Sequence, residues 1–282
     1  MLGPNGRLWV PDARNGRMSV FDPVDGFIDS FPFADGLFMA TWNGVIVDGS
    51  RIYRPSYSGN RDLIRVYDLT MTRVDSIPLP SDQPEDEEYD PESDPCCFYQ
   101  ERGGGYMMYG IPFLASEVRF IDSRGSVWST RGGDPAYRLS RWEPGEDTTL
   151  VVETRRPAVP VPEAERDSVI DAMRQMLSDA GASRQWDWSR IPNVKPAIEA
   201  IFQSVEGNLW VRTPSADGGV LFDVYSGDGG YLGTASLGPG LSFSDQVAPV
   251  VRGDLAWLIV RGEFDVQYVV RARIVPADRS PA

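Results

Sequence analysis

Trp186, Trp188 and Arg190 stand within five residues of one another in the run RQWDWSR. Two indole planes one residue apart, with a guanidinium beyond them, can stack on a sugar or an aromatic ligand and add polar contacts. The same side chains can instead dock a connecting segment onto a neighbouring sheet. Both readings stand for these three residues, which are the candidate ligand-binding residues of the chain.

Other stretches offer less. The run SDQPEDEEYDPESDP (81–95) carries Asp82, Glu85, Asp86, Glu87, Glu88, Asp90, Glu92 and Asp94 and no base. Calcium needs several oxygen ligands converging on one point. The spacing lacks the central Gly and closing Glu of the helix-loop-helix calcium site, so a solvated acidic loop is the expectation. The expectation is therefore no cofactor, with calcium on these acids as the alternative, and no residue stands out as a metal ligand. The run GGGYMMYG (103–110) lacks the Gly-Lys-Ser/Thr ending of a phosphate loop and reads as a turn entering a strand. Lys195, the only lysine, has no neighbour in sequence that marks it as a nucleophile and reads as a solvated side chain. Cys96 and Cys97 are adjacent; the reading favoured is a reduced pair packed as small apolar groups, the other being a vicinal disulfide in an oxidising compartment.

The chain has no histidine, which excludes Ser-His-Asp and Cys-His catalysis and His-containing zinc sites. A formal net charge of −14 argues against nucleic acid and against anionic lipid surfaces, both of which are bound through clustered Lys and Arg. No apolar run approaches the roughly 18–20 residues needed to cross a bilayer. No catalytic residue is assigned.

The elements that must position these side chains repeat. A turn, an apolar strand that usually carries Trp and a second strand recur five times: GRLWV (6–10) with SVFD (19–22), GSRIY (49–53) with IRVYD (64–68), GSVWS (125–129) with YRLSRW (137–142), GNLWV (207–211) with VLFD (220–223), and GDLAWLIV (253–260) with QYVVRAR (267–273). Trp9 and Tyr53 are 44 positions apart and Trp210 and Trp257 are 47 apart. A four-stranded propeller blade takes roughly 40–50 residues. The two middle intervals are longer, so one insertion contains the acidic run and another lies at 154–200. The expected fold is therefore an all-β propeller of five recognisable blades in a single domain, 1–282, interrupted by an acidic loop at 81–95 and a helical insertion at 154–200.

Within that insertion Val169, Ile170, Met173, Met176 and Leu177 fall on one helical face, after Pro160 and Pro162 and before Gly181. The spacing predicts a helix at 163–180 and suggests a second short helical turn at 196–201. Asp22, Asp68 and Asp223 each follow an aromatic residue at a similar point of the repeat. A recurring acid of this kind fixes a turn by accepting backbone N–H bonds.

In order, the motifs GRLWV, MSVFD (18–22), IPF (111–113), RRP (155–157), PEAERD (162–167), KPAIEAIF (195–202), GNLWV and FDVYSGDGGYLG (222–233) resemble a bacterial family of six-bladed β-propellers akin to the TolB-like and NHL-repeat propellers. The likeness spans nearly the whole chain. It implies an exported, envelope or lipid-anchored protein, and hence an extracytoplasmic location. Met1 is followed by LGPNGRLWV, without the basic and apolar regions of an export signal, and the first repeat begins at Gly6. The expectation is an N-terminally shortened six-bladed design whose open sheet edges favour self-association. The function expected is a non-catalytic binding or scaffold propeller of the cell envelope with an unidentified protein or small-molecule partner. The alternative is a metal-dependent, lactonase-like hydrolase or lyase using channel carboxylates.

Overall fold

The structure, a computed structural model, describes residues 3, 6–12, 15–32, 44–58, 61–79, 96–102, 105–146, 148–179, 186–216, 218–237, 242–243, 247–262 and 266–275. The acidic run at 81–95 lies outside them. The fold class is an all-β propeller of five blades with one helical insertion. The first blade holds β1 (Leu8–Asp12), β2 (Arg17–Asp22) and β3 (Gly26–Pro32); the second holds β4 (Val45–Val47), β5 (Arg51–Ser58), β6 (Arg61–Asp68) and β7 (Arg73–Pro78). A separate hairpin, β8 (Cys97–Arg102) and β9 (Gly105–Gly110), precedes the third blade, β10 (Arg119–Ile121), β11 (Val127–Ser129), β12 (Tyr137–Trp142) and β13 (Thr148–Thr154). Helix α1 (Glu163–Asp179) follows, then the fourth blade, β14 (Ala200–Gln203), β15 (Leu209–Pro214), β16 (Val220–Tyr225) and β17 (Tyr231–Leu237). In the fifth, β18 (Ser242–Phe243) and β19 (Val250–Arg252) pair with opposite ends of β20 (Leu255–Arg261), and β21 (Gln267–Arg273) pairs along its length.

The repeated phrase has a local cause, seen best at its third occurrence. The buried Asp122 accepts the backbone N–H groups of Arg124 and Ser126 on Oδ1 and the Trp128 indole N–H on Oδ2. One carboxylate thereby shapes the turn and anchors the tryptophan that fills the core. Gly125 sits in this turn at φ +91°, a left-handed conformation that glycine adopts without steric cost. A second recurrence lies between the last two strands of a blade. The register shifts at Val20/Phe21, Val66/Tyr67 and Val224/Tyr225, one residue before the hairpin turn each time. Such bulges add local twist, and their shared position makes them part of the blade design.

That register corrects one sequence reading. Asp22 and Asp68 do hold their turns, accepting backbone N–H groups from Val24 and Asp25 and from Thr70 and Thr72. The equivalent position in the fourth blade is Ser226, whose N–H bonds the Gly230 carbonyl across the turn. Asp223 stands three residues upstream, inside β16, and is fully buried. Its resemblance to Asp22 is a coincidence of the Phe-Asp dipeptide.

The chain divides into two compact units. One comprises Met1–Tyr89, Ile121–Trp128 and Arg141–Thr149; the other comprises Asp90–Phe120, Ser129–Ser140 and Leu150–Ala282. In the first, one cluster gathers Trp9, Met18, Val20, Ile52, Tyr67 and Met71, and another gathers Ile64, Val66, Leu79, Ile121, Val127 and Trp142. In the second, Phe202, Trp210, Phe222, Val251, Leu258 and Val260 form the blade core, and a separate cluster surrounds Trp186. Alternation feeds these cores most clearly in β20, which reads intermediate and buried in strict turn from Leu255 to Arg261.

Two expectations in the insertions are revised. Residues 196–199 form no helical turn, because Ala200 already opens β14 and the preceding Glu199 N–H bonds the Arg212 carbonyl of β15. Cys96 and Cys97 form a vicinal disulfide rather than a reduced pair, at the point where the chain turns into β8. No helix among the described residues is long and apolar enough to cross a membrane.

Candidate functional site

The two interruptions of the repeat, far apart in sequence, build one module in the second unit. Helix α1 turns Ile170, Met173 and Leu177 inward, three residues of the face the spacing predicts. They pack with Phe98 of β8, Ile111 after β9, Trp186 and Ile191. Trp186 is the centre of this core. Its ring stacks on Phe98 with centroids 4.8 Å apart and planes 5° from parallel, and its Nε1–H donates to the Tyr99 carbonyl at 3.1 Å. Tyr109 of β9 leans on the same indole at 5.0 Å.

Trp188 and Arg190 lie in a 3-10 turn, Trp188–Arg190, and are partly exposed. Asp187 caps the turn by accepting the Ser189 N–H and hydroxyl, and the Ser189 hydroxyl bond foremost holds its carboxyl below the usual range. Arg166 of α1 closes the other end, donating to the Trp188 and Ile191 carbonyls. The Trp188 ring meets Trp186 edge-on at 5.7 Å, with the Arg174 guanidinium 5.7 Å above Trp188; the Arg190 guanidinium lies 5.4 Å from the Phe98 ring. The structure thus brings all three sequence-selected residues into one aromatic body. Trp186 forms its buried interior, while Trp188 and Arg190 reach its surface.

Beside this core lies a cavity of about 350 Å3, lined by Phe113, Leu114, Ser116, Glu165, Lys195, Pro196, Ile198, Glu199 and Arg212. Two ion pairs furnish it. Lys195 Nζ contacts Glu165 Oε2 at 2.8 Å and Oε1 at 2.9 Å, and Arg212 Nε contacts Glu199 Oε2 at 2.9 Å. Lys195 is therefore a paired, largely enclosed cation, 18% exposed, and not the solvated side chain its sequence context suggests. Phe113 holds φ +59° inside the turn that the Leu114 N–H closes on the Ile111 carbonyl at 3.3 Å, a left-handed conformation uncommon for a bulky residue.

A second polar cluster centres on Asp223. Its Oδ1 accepts from the Arg156 guanidinium and from Thr234 Oγ1 at 3.1 Å. Arg156 also covers the Tyr137 ring at 5.1 Å, and the Tyr225 hydroxyl donates to that of Tyr137 at 2.9 Å. Burial foremost pushes the Tyr137 phenol well above the usual tyrosine range, and the Asp223 charge adds to it.

Sequence reasoning missed Glu165, Glu199, Arg212 and Phe113. Each looks ordinary in its own segment, and only the tertiary meeting of the 111–116 segment, α1, the 195–199 segment and β15 makes them a site. Among the described residues no group of three or more Asp, Glu or Cys side chains is placed to hold a metal ion.

No family model and no curated protein matches the chain. Solved structures give distant likenesses. A protein of unknown function from Bacteroides caccae is 12% identical with a TM-score of 0.35, over 95% of this chain and 72% of that one. A catalytically inactive virginiamycin B lyase from Staphylococcus aureus is 11% identical with a TM-score of 0.39, over 95% and 82%. TolB from Acinetobacter baumannii is 13% identical with a TM-score of 0.33, over 90% and 60%.

Proposed function

We propose that this chain is a non-catalytic binding or scaffold propeller of the bacterial cell envelope, of a six-bladed TolB-like design, that engages its partner through the module built where the repeat is interrupted. The observation carrying this reading is the fusion of two insertions around Trp186, which holds Trp188 and Arg190 on a rigid aromatic base. A recognition surface gains affinity when its contact residues are already ordered before binding. The vicinal disulfide of Cys96 and Cys97, at the root of β8 in the same module, suits an oxidising, extracytoplasmic compartment. Self-association belongs to the same reading, with β21 as its edge: Tyr268 and Val269 are 53% and 74% exposed.

The test is cell fractionation of the tagged gene product combined with site-specific photo-crosslinking. A crosslinker replacing Trp188 is compared with one replacing Val24, which is 90% exposed on a blade turn. The expected result is an envelope-associated protein that yields a discrete adduct from position 188, weakened by Arg190→Ala, and none from position 24. A cytosolic protein, or equal labelling from both positions, overturns the reading.

A further inference from the structure

We infer that the cavity lined by the Glu165–Lys195 and Glu199–Arg212 ion pairs is a binding site for a neutral polyhydroxylated ligand, one or two sugar residues in size. It goes beyond the binding reading above, since neither Trp188 nor Arg190 lines this cavity. The cavity's volume of about 350 Å3 falls at the small end of the range for ligand pockets. Its wall combines an aromatic ring and aliphatic groups (Phe113, Leu114, Pro196, Ile198) with donors and acceptors on the two ion pairs and the Ser116 hydroxyl.

The charge arrangement selects the ligand. Two acids and two bases line the cavity, and each acid is bonded to a base at 2.8–2.9 Å. An anion would meet Glu165 and Glu199, and a cation would meet Lys195 and Arg212. A zwitterion would have to break both pairs to be recognised, leaving partly buried charges to be satisfied again. Hydroxyl groups need none of this. They accept from Lys195, whose ammonium carries three hydrogens, and donate to the carboxylates, both while the pairs stay closed. A sugar also has an apolar C–H face, which matches the Phe113 ring.

The experiment is saturation-transfer NMR and calorimetry on the intact chain with glucose, galactose, mannose, N-acetylglucosamine and their disaccharides, set beside glucuronate and glucosamine. At least one neutral sugar is expected to bind with a dissociation constant in the millimolar range. Glu199→Gln and Lys195→Met are each expected to weaken it about tenfold, the loss of one hydrogen bond to a charged group. Phe113→Leu keeps an apolar wall but loses the ring; it is expected to weaken binding with an unchanged circular dichroism spectrum, which keeps the test valid if a charge variant unfolds. The inference is overturned if no neutral sugar binds at tens of millimolar, if only glucuronate or glucosamine binds, or if binding is unchanged in all folded variants. In those cases adducts from position 188 would still support the envelope-binding reading, so the two fail separately.

Discussion

The indole N–H of Trp186 donates to the backbone carbonyl of Tyr99 at 3.1 Å, across 87 positions of chain. That bond joins the segment after α1 to the hairpin β8–β9, the two places where the blade repeat is interrupted. The ring then adds its stack on Phe98, worth about 0.5–1.5 kcal/mol beyond the apolar area it removes from water. Helix α1 and the β8–β9 hairpin thereby share one packed core, and the cavity at Phe113 and Lys195 borders it.

Trp186→Ala is expected to cost about 3–5 kcal/mol, because it opens a void among Phe98, Ile170, Met173 and Leu177. Trp186→Phe keeps most of the stack and loses the N–H bond, a cost of about 1 kcal/mol. Hydrogen exchange resolves where the damage falls. Amides of β8, β9 and α1 should lose protection in Trp186→Ala, while those of β1 and β2 keep it. Uniform loss across the chain would show that the module is not a separate cooperative unit.

Arg156 and Asp223 form a largely buried ion pair, with side chains 28% and 0% exposed. Arg156→Met would leave the Asp223 carboxylate buried without its cation. The expected cost is about 3 kcal/mol, at the low end for a broken buried pair because Arg156 keeps some solvent. Adding Asp223→Asn should restore much of it. Denaturant titration of the single and double variants measures the coupling; additive losses would mean the pair does not act as a unit.

How far the sequence foretells this architecture differs between blades and insertions. The blades were legible because each repeats a phrase with a local cause: Asp122 shaping a turn and anchoring Trp128 is written within seven consecutive residues. The helix was legible from its own spacing, which predicts 163–180 where α1 spans Glu163–Asp179 among the described residues. The cavity was not, because Glu165 meets Lys195 thirty positions away and Glu199 meets Arg212 only through the β14–β15 register. The misassigned Asp223 failed for a related reason. Matching the dipeptide Phe222-Asp223 to Phe21-Asp22 ignores the bulge that sets the hairpin register, which aligns Tyr225-Ser226 with Phe21-Asp22.

The Tyr137 and Tyr225 phenols give the protein an alkaline limit. Burial raises both above the ordinary tyrosine value of 10.0. The folded state thus keeps its protons where the unfolded chain begins to release them. By linkage, their stabilisation is full below pH of about 10 and declines as pH rises beyond it. Tyr137→Phe removes one such group, so its melting temperature should fall less steeply than that of the parent above pH of about 10, despite a lower starting value. Parallel slopes for parent and variant would rule out this role for Tyr137.

Gly229 and Gly218 separate two costs that a turn glycine can avoid. Both hold left-handed backbones, at φ +87° and φ +75°. A Cβ at position 218 would meet nothing within 4 Å, whereas at 229 it would stand 2.6 Å from Leu150 Cδ2 of β13. Gly218→Ala should therefore cost only the backbone penalty, about 1–2 kcal/mol. Gly229→Ala adds the crowding of β13 and should cost about 1 kcal/mol more, Leu150 being able to swing its terminal methyl partly aside. Equal losses in denaturant titration would mean that β13 and the β16–β17 turn are not packed against each other in solution. A larger loss at 229, relieved by Leu150→Ala, would establish that contact directly.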